Sequence, residues 1–214
     1  MTPLTYTLVA DGPSDRCLGP IINWTLWTLA GAAPSDALLI DAQFADFRDV
    51  PDAPQGLTER IRRAVREFPC DVLFVHRDAE REAPARRREE IEAAAREVGV
   101  QPVVCIVPVR MTEAWLLFDE AAIRRAAGNP NGKVALRLPA LQKLESLPDP
   151  KAVLQDALVT ASETSGRKLK LFQRDLRTFR YRVAELIEDF SPLRSLPAFR
   201  DFERDVHATL KSLF

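Results

Sequence analysis

Soft-metal and redox chemistry have little to work with in this chain. Only two histidines (His76, His207) and three cysteines (Cys17, Cys70, Cys105) occur in 214 residues. No CxxC pair or Cys/His ligand spacing joins them, which argues against a structural zinc site. An odd, widely spaced set of thiols argues equally against a disulfide framework. Glycine is scarce, 8 residues against 16 prolines, so stiff turns punctuate the chain more than flexible loops do. No G-x-x-x-x-G-K-S/T phosphate loop is present, and Asn129-Pro130-Asn131-Gly132-Lys133 reads as a turn. Met1-Thr2-Pro3-Leu4 leads into no basic segment with a long apolar run, and no stretch approaches a membrane span. Together these absences predict a protein of a reducing cytoplasm with no membrane partner.

What is present suits a folded core: 46% hydrophobic and 29% charged residues. The net charge of -1 hides an uneven distribution. From Arg167 to Arg182 seven cations (Arg167, Lys168, Lys170, Arg174, Arg177, Arg180, Arg182) stand against one acid, Asp175. A near-neutral chain with such a segment can hold a polyanion there.

Apolar runs at Leu4–Ala10, Ala37–Ile40, Val72–Val75 and Gln101–Val107 predict four strands. Helical spacing falls between them. Ser14 suits an N-cap for a helix to about Ala30, and Pro20 predicts a kink or a late start. Leu57–Phe68 is amphipathic, and Pro84–Val98 carries Arg86/Glu90 and Arg88/Glu92 at i,i+4. Thr112 suits the cap of a helix starting at Glu113. Beyond about Gly128 strand signals stop, and helices are expected near 139–147, 150–164, 171–189 and 197–213. The expected fold is α/β: a mostly parallel four-stranded sheet covered on both faces over residues 1–127. A helical extension, 128–214, is expected to pack on it rather than fold alone.

Three strand ends carry acids: Asp11 and Asp15 after the first, Asp78 and Glu80 after the third, Glu113 after the fourth. Loops beyond the carboxyl ends of parallel strands line one edge and converge on a ligand crevice. Clustered carboxylates need a compensating cation, and oxygen donors favour a hard one, Mg2+ or Mn2+. Such an ion supports phosphoryl transfer. Each acid alone also suits a structural role, since Asp favours turns and either Asp15 or Glu113 can serve a helix N-terminus.

These residues resemble a known family. Leu8-Val9-Ala10-Asp11-Gly12-Pro13-Ser14-Asp15 resembles the first Toprim motif, a strand ending in an acid-Gly-x-x-Asp turn. Phe74-Val75-His76-Arg77-Asp78-Ala79-Glu80 resembles the second, a strand ending in Asp-x-Asp. Val107 to Leu117, with Pro108 and Glu113-Ala114-Trp115, is similar to a segment of the Toprim-like domain of unknown function family 4276. The resemblance covers roughly residues 4 to 120. It implies a Toprim-like fold with Asp11 as general acid/base and member of the metal's carboxylate set, and with Asp78 and Glu80 as metal ligands. Asp15 and Glu113 are implied as supporting or second-metal acids. It further implies a Mg2+-dependent nuclease, an ATPase partner and a toxin-like effector role in bacterial antiviral defence. Asp11 stands where the Toprim turn carries Glu, and Glu80 replaces the second Asp. Neither Tyr6 nor Tyr181 has the context of a topoisomerase nucleophile, so hydrolysis is expected rather than strand transfer.

Phe172, Leu176, Phe179, Val183, Leu186, Ile187 and Phe190 form an apolar seam on one predicted helix. Lys170, Arg174, Arg177 and Tyr181 lie opposite, a stripe suited to a phosphate backbone with Tyr181 stacking on a base. The plain alternative is a solvated charged face. Arg77 and Arg110, beside the acids, are candidates to contact phosphate or to pair with the carboxylates. His76 reads as a strand-end residue, Trp24, Trp27 and Trp115 as core. The function expected is metal-dependent cleavage of DNA or RNA. The alternatives are a non-catalytic regulatory or scaffold subunit with a decayed acid site, favoured by the Asp11 departure, and a small-nucleotide phosphohydrolase.

Overall fold

The computed structural model describes residues 3–31, 38–48, 50 and 52–214. Four parallel strands, β1 (Leu4–Val9), β2 (Ile40–Phe44), β3 (Val72–His76) and β4 (Val103–Ile106), form one sheet in the order β2-β1-β3-β4. The register sets Leu8 beside Phe44 on one flank and Phe74 on the other, with Phe74 beside Val104. Side chains alternate between faces along each strand. Val9, Leu73, Val75 and Cys105 therefore pack against α2 (Gly56–Glu67) and α3 (Pro84–Val98) through Ile61, Ala64, Ile91 and Ala94. Tyr6, Leu8, Phe74, Val104 and Ile106 pack the other way.

That second face is covered mainly by the later chain. α1 (Leu18–Leu29) lies there with α4 (Glu120–Ala126), α5 (Pro150–Ser162), α7 (Leu176–Leu186) and α8 (Pro197–Leu213). Trp115 is fully buried and meets Phe199 edge-on at 5.3 Å and Phe202 at 6.1 Å. Phe202 in turn sits 6.4 Å from Phe74 of β3. The expected extension is thus the second cover of the sheet, sharing one apolar core with the strands. α3 and α8, on opposite faces, meet past β4 through an Arg88–Asp205 ion pair that shields the strand's outer edge.

Several local expectations need correction. The second strand runs Ile40–Phe44, later than the apolar run suggested; Ala37 lies outside the described residues. Ser14 caps nothing: residues Pro13–Cys17 form a 3-10 turn, and α1 starts late at Leu18 with Pro20 in its first turn, where its missing N–H costs nothing. Thr112 likewise caps no α-helix, because Thr112–Leu116 is a 3-10 turn. Trp27 is 43% exposed, not core, its indole N–H donating to the Leu38 carbonyl at 2.9 Å. The long basic helix is broken at Asp175 into α6 (Gly166–Arg174) and α7. There the Thr178 hydroxyl and N–H both bond the Asp175 carbonyl, and Phe172 stacks on Phe179 at 4.4 Å.

Because the Trp115–Phe199–Phe202 cluster joins the two halves, Phe199→Ala is expected to destabilise the whole protein by about 3–5 kcal/mol. Urea unfolding followed by circular dichroism and by tryptophan fluorescence should shift together. Separate transitions would show that the halves unfold independently.

Candidate functional site

Beyond Val9 the chain turns at Asp11-Gly12, and the Asp15 carboxylate folds back to accept the Gly12 N–H at 2.9 Å. This bond satisfies a donor at the start of the turn and buries Asp15. β3 ends at His76, whose ring is wholly buried. Its Nε2 lies 3.1 Å from Asp78 Oδ1 and 3.0 Å from Thr112 Oγ1, while Nδ1 faces Asp15 Oδ2 at 3.5 Å. Asp78 Oδ1 also accepts the Thr112 N–H at 3.0 Å. From the far side comes α7: the Arg180 guanidinium is ion-paired with the buried Glu113 carboxylate and lies 3.5 Å from Asp15 Oδ1.

These groups form a string of alternating charge, Asp78–His76–Asp15–Arg180–Glu113. Burial works against the His76 imidazolium, but the carboxylates of Asp15 and Asp78 outweigh it and push its pKa from 6.5 up to about 9. Burial likewise works against the Asp15 carboxylate, yet hydrogen bonding and attraction from His76, the Gly12 N–H and Arg180 hold it below the usual range. The two carboxylates thus favour the imidazolium form of His76. Cys17, buried nearby, has its thiol pushed well up by burial, so it supplies no thiolate.

The five predicted acids do not meet at one point. Asp15, Asp78 and Glu113 share the string. Asp11 is gripped outside it, Oδ1 by Arg60 of α2 at 3.0 Å and Oδ2 by Arg77 at 3.1 Å. Arg77 thus pairs with a carboxylate, with Glu90 at 3.7 Å as well. Glu80 is exposed at φ 53°, held in this left-handed conformation by a reciprocal clip: its N–H donates to the Arg110 carbonyl at 3.1 Å, and Arg110 donates to its carbonyl at 2.9 Å. Among the described residues no group of three or more His, Cys, Asp or Glu side chains is arranged to hold a metal ion. The expected set of Asp11, Asp78 and Glu80 is accordingly not assembled.

Asp11, Asp15 and Glu113 each carry an arginine and Asp78 carries the His76 imidazole and the Thr112 N–H on one oxygen, whereas among the described residues no ion pair occupies Glu80. Mg2+ takes one or two carboxylates and completes its shell with water and substrate phosphates rather than a protein cage. Asp78, which no arginine pairs, and the exposed Glu80 are the carboxylates least occupied for such an ion; Asp11, gripped by two arginines, does not fit it.

Against the string opens a cavity of about 290 Å³ whose polar wall is Ser14, Glu113, Lys151, Gln155, Arg177 and Arg180. Lys151 and Arg177 have no carboxylate partner among the described residues. No family model, curated protein or solved structure matches this chain. The geometry divides the predicted stripe. Arg177 turns to this cavity, Arg174 pairs with Asp175 at 3.1 Å, and Lys170 stands on the exposed α6. Arg180, Lys151 and Thr112 were not singled out in the sequence as site residues. Arg180 was legible only as one cation among seven, and nothing local marks Lys151, which α5 brings in from far along the chain.

Two measurements test the string. Removing one partner from a buried ion pair leaves the other charge uncompensated, so Arg180→Met is expected to cost about 3–5 kcal/mol in urea unfolding. Adding Asp15→Asn and Glu113→Gln should recover part of that loss, and strict additivity would dissolve the coupling. The raised pKa of His76 gives stability complete below pH 6.5 and lost as pH rises through about 9, on the order of 3 kcal/mol. Buried Cys17 and Cys105, whose thiols are also pushed up, add their own alkaline loss. The difference between wild type and His76→Gln isolates the imidazole; equal losses would show that His76 is neutral.

Proposed function

We propose that the chain is a Toprim-like nuclease that hydrolyses phosphodiesters in DNA or RNA with Mg2+ or Mn2+. The observation that supports this best is the cavity joining Glu113 of the acid string to three cations, Lys151, Arg177 and Arg180. A phosphodiester is a small anion, and clefts lined with lysine and arginine concentrate such groups. Lys151 and Arg177 bind and orient the phosphate, and Arg180 adds positive charge where negative charge develops on its oxygens. His76, between Asp78 and Asp15, holds Asp78 in one orientation. Asp78 and Glu80 would hold the divalent ion, which when bound would supply Lewis-acid polarisation of the phosphoryl oxygens. Asp11, tied to Arg60 and Arg77, shapes the loop rather than transferring the proton. The ATPase partner and the defence role belong to this proposal through the motif resemblance.

One observation favours a second reading. Arg180 already neutralises Asp15 and Glu113, as a decayed site in a non-catalytic subunit would require.

The two readings separate in a cleavage assay with single-stranded DNA and RNA in millimolar Mg2+ or Mn2+. The nuclease is expected to lose cleavage at least about 100-fold in Asp78→Ala. Lys151→Ala with Arg177→Ala should weaken binding and flatten its salt slope by about 0.7 per lost phosphate contact. The divalent ion should raise the melting temperature of wild type but not of Asp78→Ala. No cleavage and no metal-dependent shift would establish the non-catalytic subunit.

A further inference from the structure

α7 has a second cavity on its other flank. It measures about 710 Å³ and lies between α1, the outer strand β2 and α7. Its character is aromatic where the first is cationic. Trp27 and Tyr181 stand at it, each 43% exposed, and Trp24 and Phe44 line it further. The Arg16 guanidinium lies over the Phe44 ring at 4.9 Å, presenting a second flat surface. Deeper in, the buried Tyr6 hydroxyl donates to Asn23 Oδ1 at 3.0 Å. That bond orients the Asn23 amide and leaves its N–H donors without a protein partner among the described residues.

Flat π surfaces with an amide edge suit a planar heteroaromatic ring, gripped on its face by stacking and on its rim by hydrogen bonds. The charges here do not suit a phosphate: Glu185 and Glu188 offset Arg16. Placement joins the two cavities. Asp15 belongs to the acid string and Arg16, the next residue, to the aromatic cavity; Arg180 and Tyr181 repeat this division on α7. Arg177 of the cationic cavity lies four residues before Tyr181, about 6 Å along the axis.

We propose that this cavity is a nucleobase subsite, taking the base of the nucleotide whose phosphate lies in the cationic cavity across α7. The inference rests on the nuclease reading for the phosphate's position, but the cavity's ligand class stands on its own walls. Base–aromatic stacking is sequence-tolerant, so the subsite accepts any base and prefers the larger purine rings.

The test uses the full chain and adenosine 5′-monophosphate. Trp24 and Trp27 report on the cavity, and the nucleotide is expected to quench their fluorescence saturably while inorganic phosphate does not. Tyr181→Ala should weaken binding at least about fivefold, and Tyr181→Phe, which keeps the ring, should restore it. Both variants change a half-exposed side chain, and unchanged circular dichroism verifies folding. Undiminished binding in Tyr181→Ala, or no saturable quenching at millimolar nucleotide, overturns the subsite. Saturable, Tyr181-dependent binding by a chain that cleaves no nucleic acid supports the subsite while overturning the nuclease reading.

Discussion

The hinge of this structure is one largely enclosed arginine. Arg180 reaches from the helical half into the carboxyl edge of the sheet and lies between two buried carboxylates, Asp15 and Glu113. Neither acid is tolerable there alone, because a charge taken out of water costs several kcal/mol unless it is paired. His76 completes the arrangement from the other side. The loops after β1, β3 and β4 and the helix α7 are therefore coupled by charge as well as by apolar packing. Any movement of α7 has to break or re-form these pairs.

The sheet explains why the groups converge. Parallel pairing in the order β2-β1-β3-β4 puts the ends of β1, β3 and β4 side by side. The ladder continues past the strands: Arg77, Ala79 and Glu80 donate their backbone N–H groups to Ile106, Pro108 and Arg110. This fixes the β3 loop against the β4 loop and sets Asp78 next to the Thr112 N–H. α7 then divides the space beyond this edge into a cationic and an aromatic cavity.

Much of this was legible from local pattern. The run Val72–Val75 and the periodicity of Pro84–Val98 rest on side-chain alternation and helical spacing, which neighbours in sequence reveal. Asp15, Asp78 and Glu113 were legible as strand-end acids because the parallel topology follows from alternating strands and helices. Asp11 misled because sequence position does not show that Arg60, 49 residues later, would claim it. Trp27 misled because its helical spacing matches a core face, although that face is the wall of an open cavity. The break at Asp175 was hidden by an apolar seam that runs unbroken through it.

The sequence by itself determined the element types, the parallel α/β half, the helical second half and the edge where the acids gather. Those depend on periodicities of two and 3.6 residues, which are local properties. Tertiary structure alone decided which acids are paired with arginine, and set His76 between two carboxylates that favour its protonated form. These depend on distances between groups far apart in the chain: burial and a neighbour's charge, not residue type, set the charge state of a buried acid or imidazole.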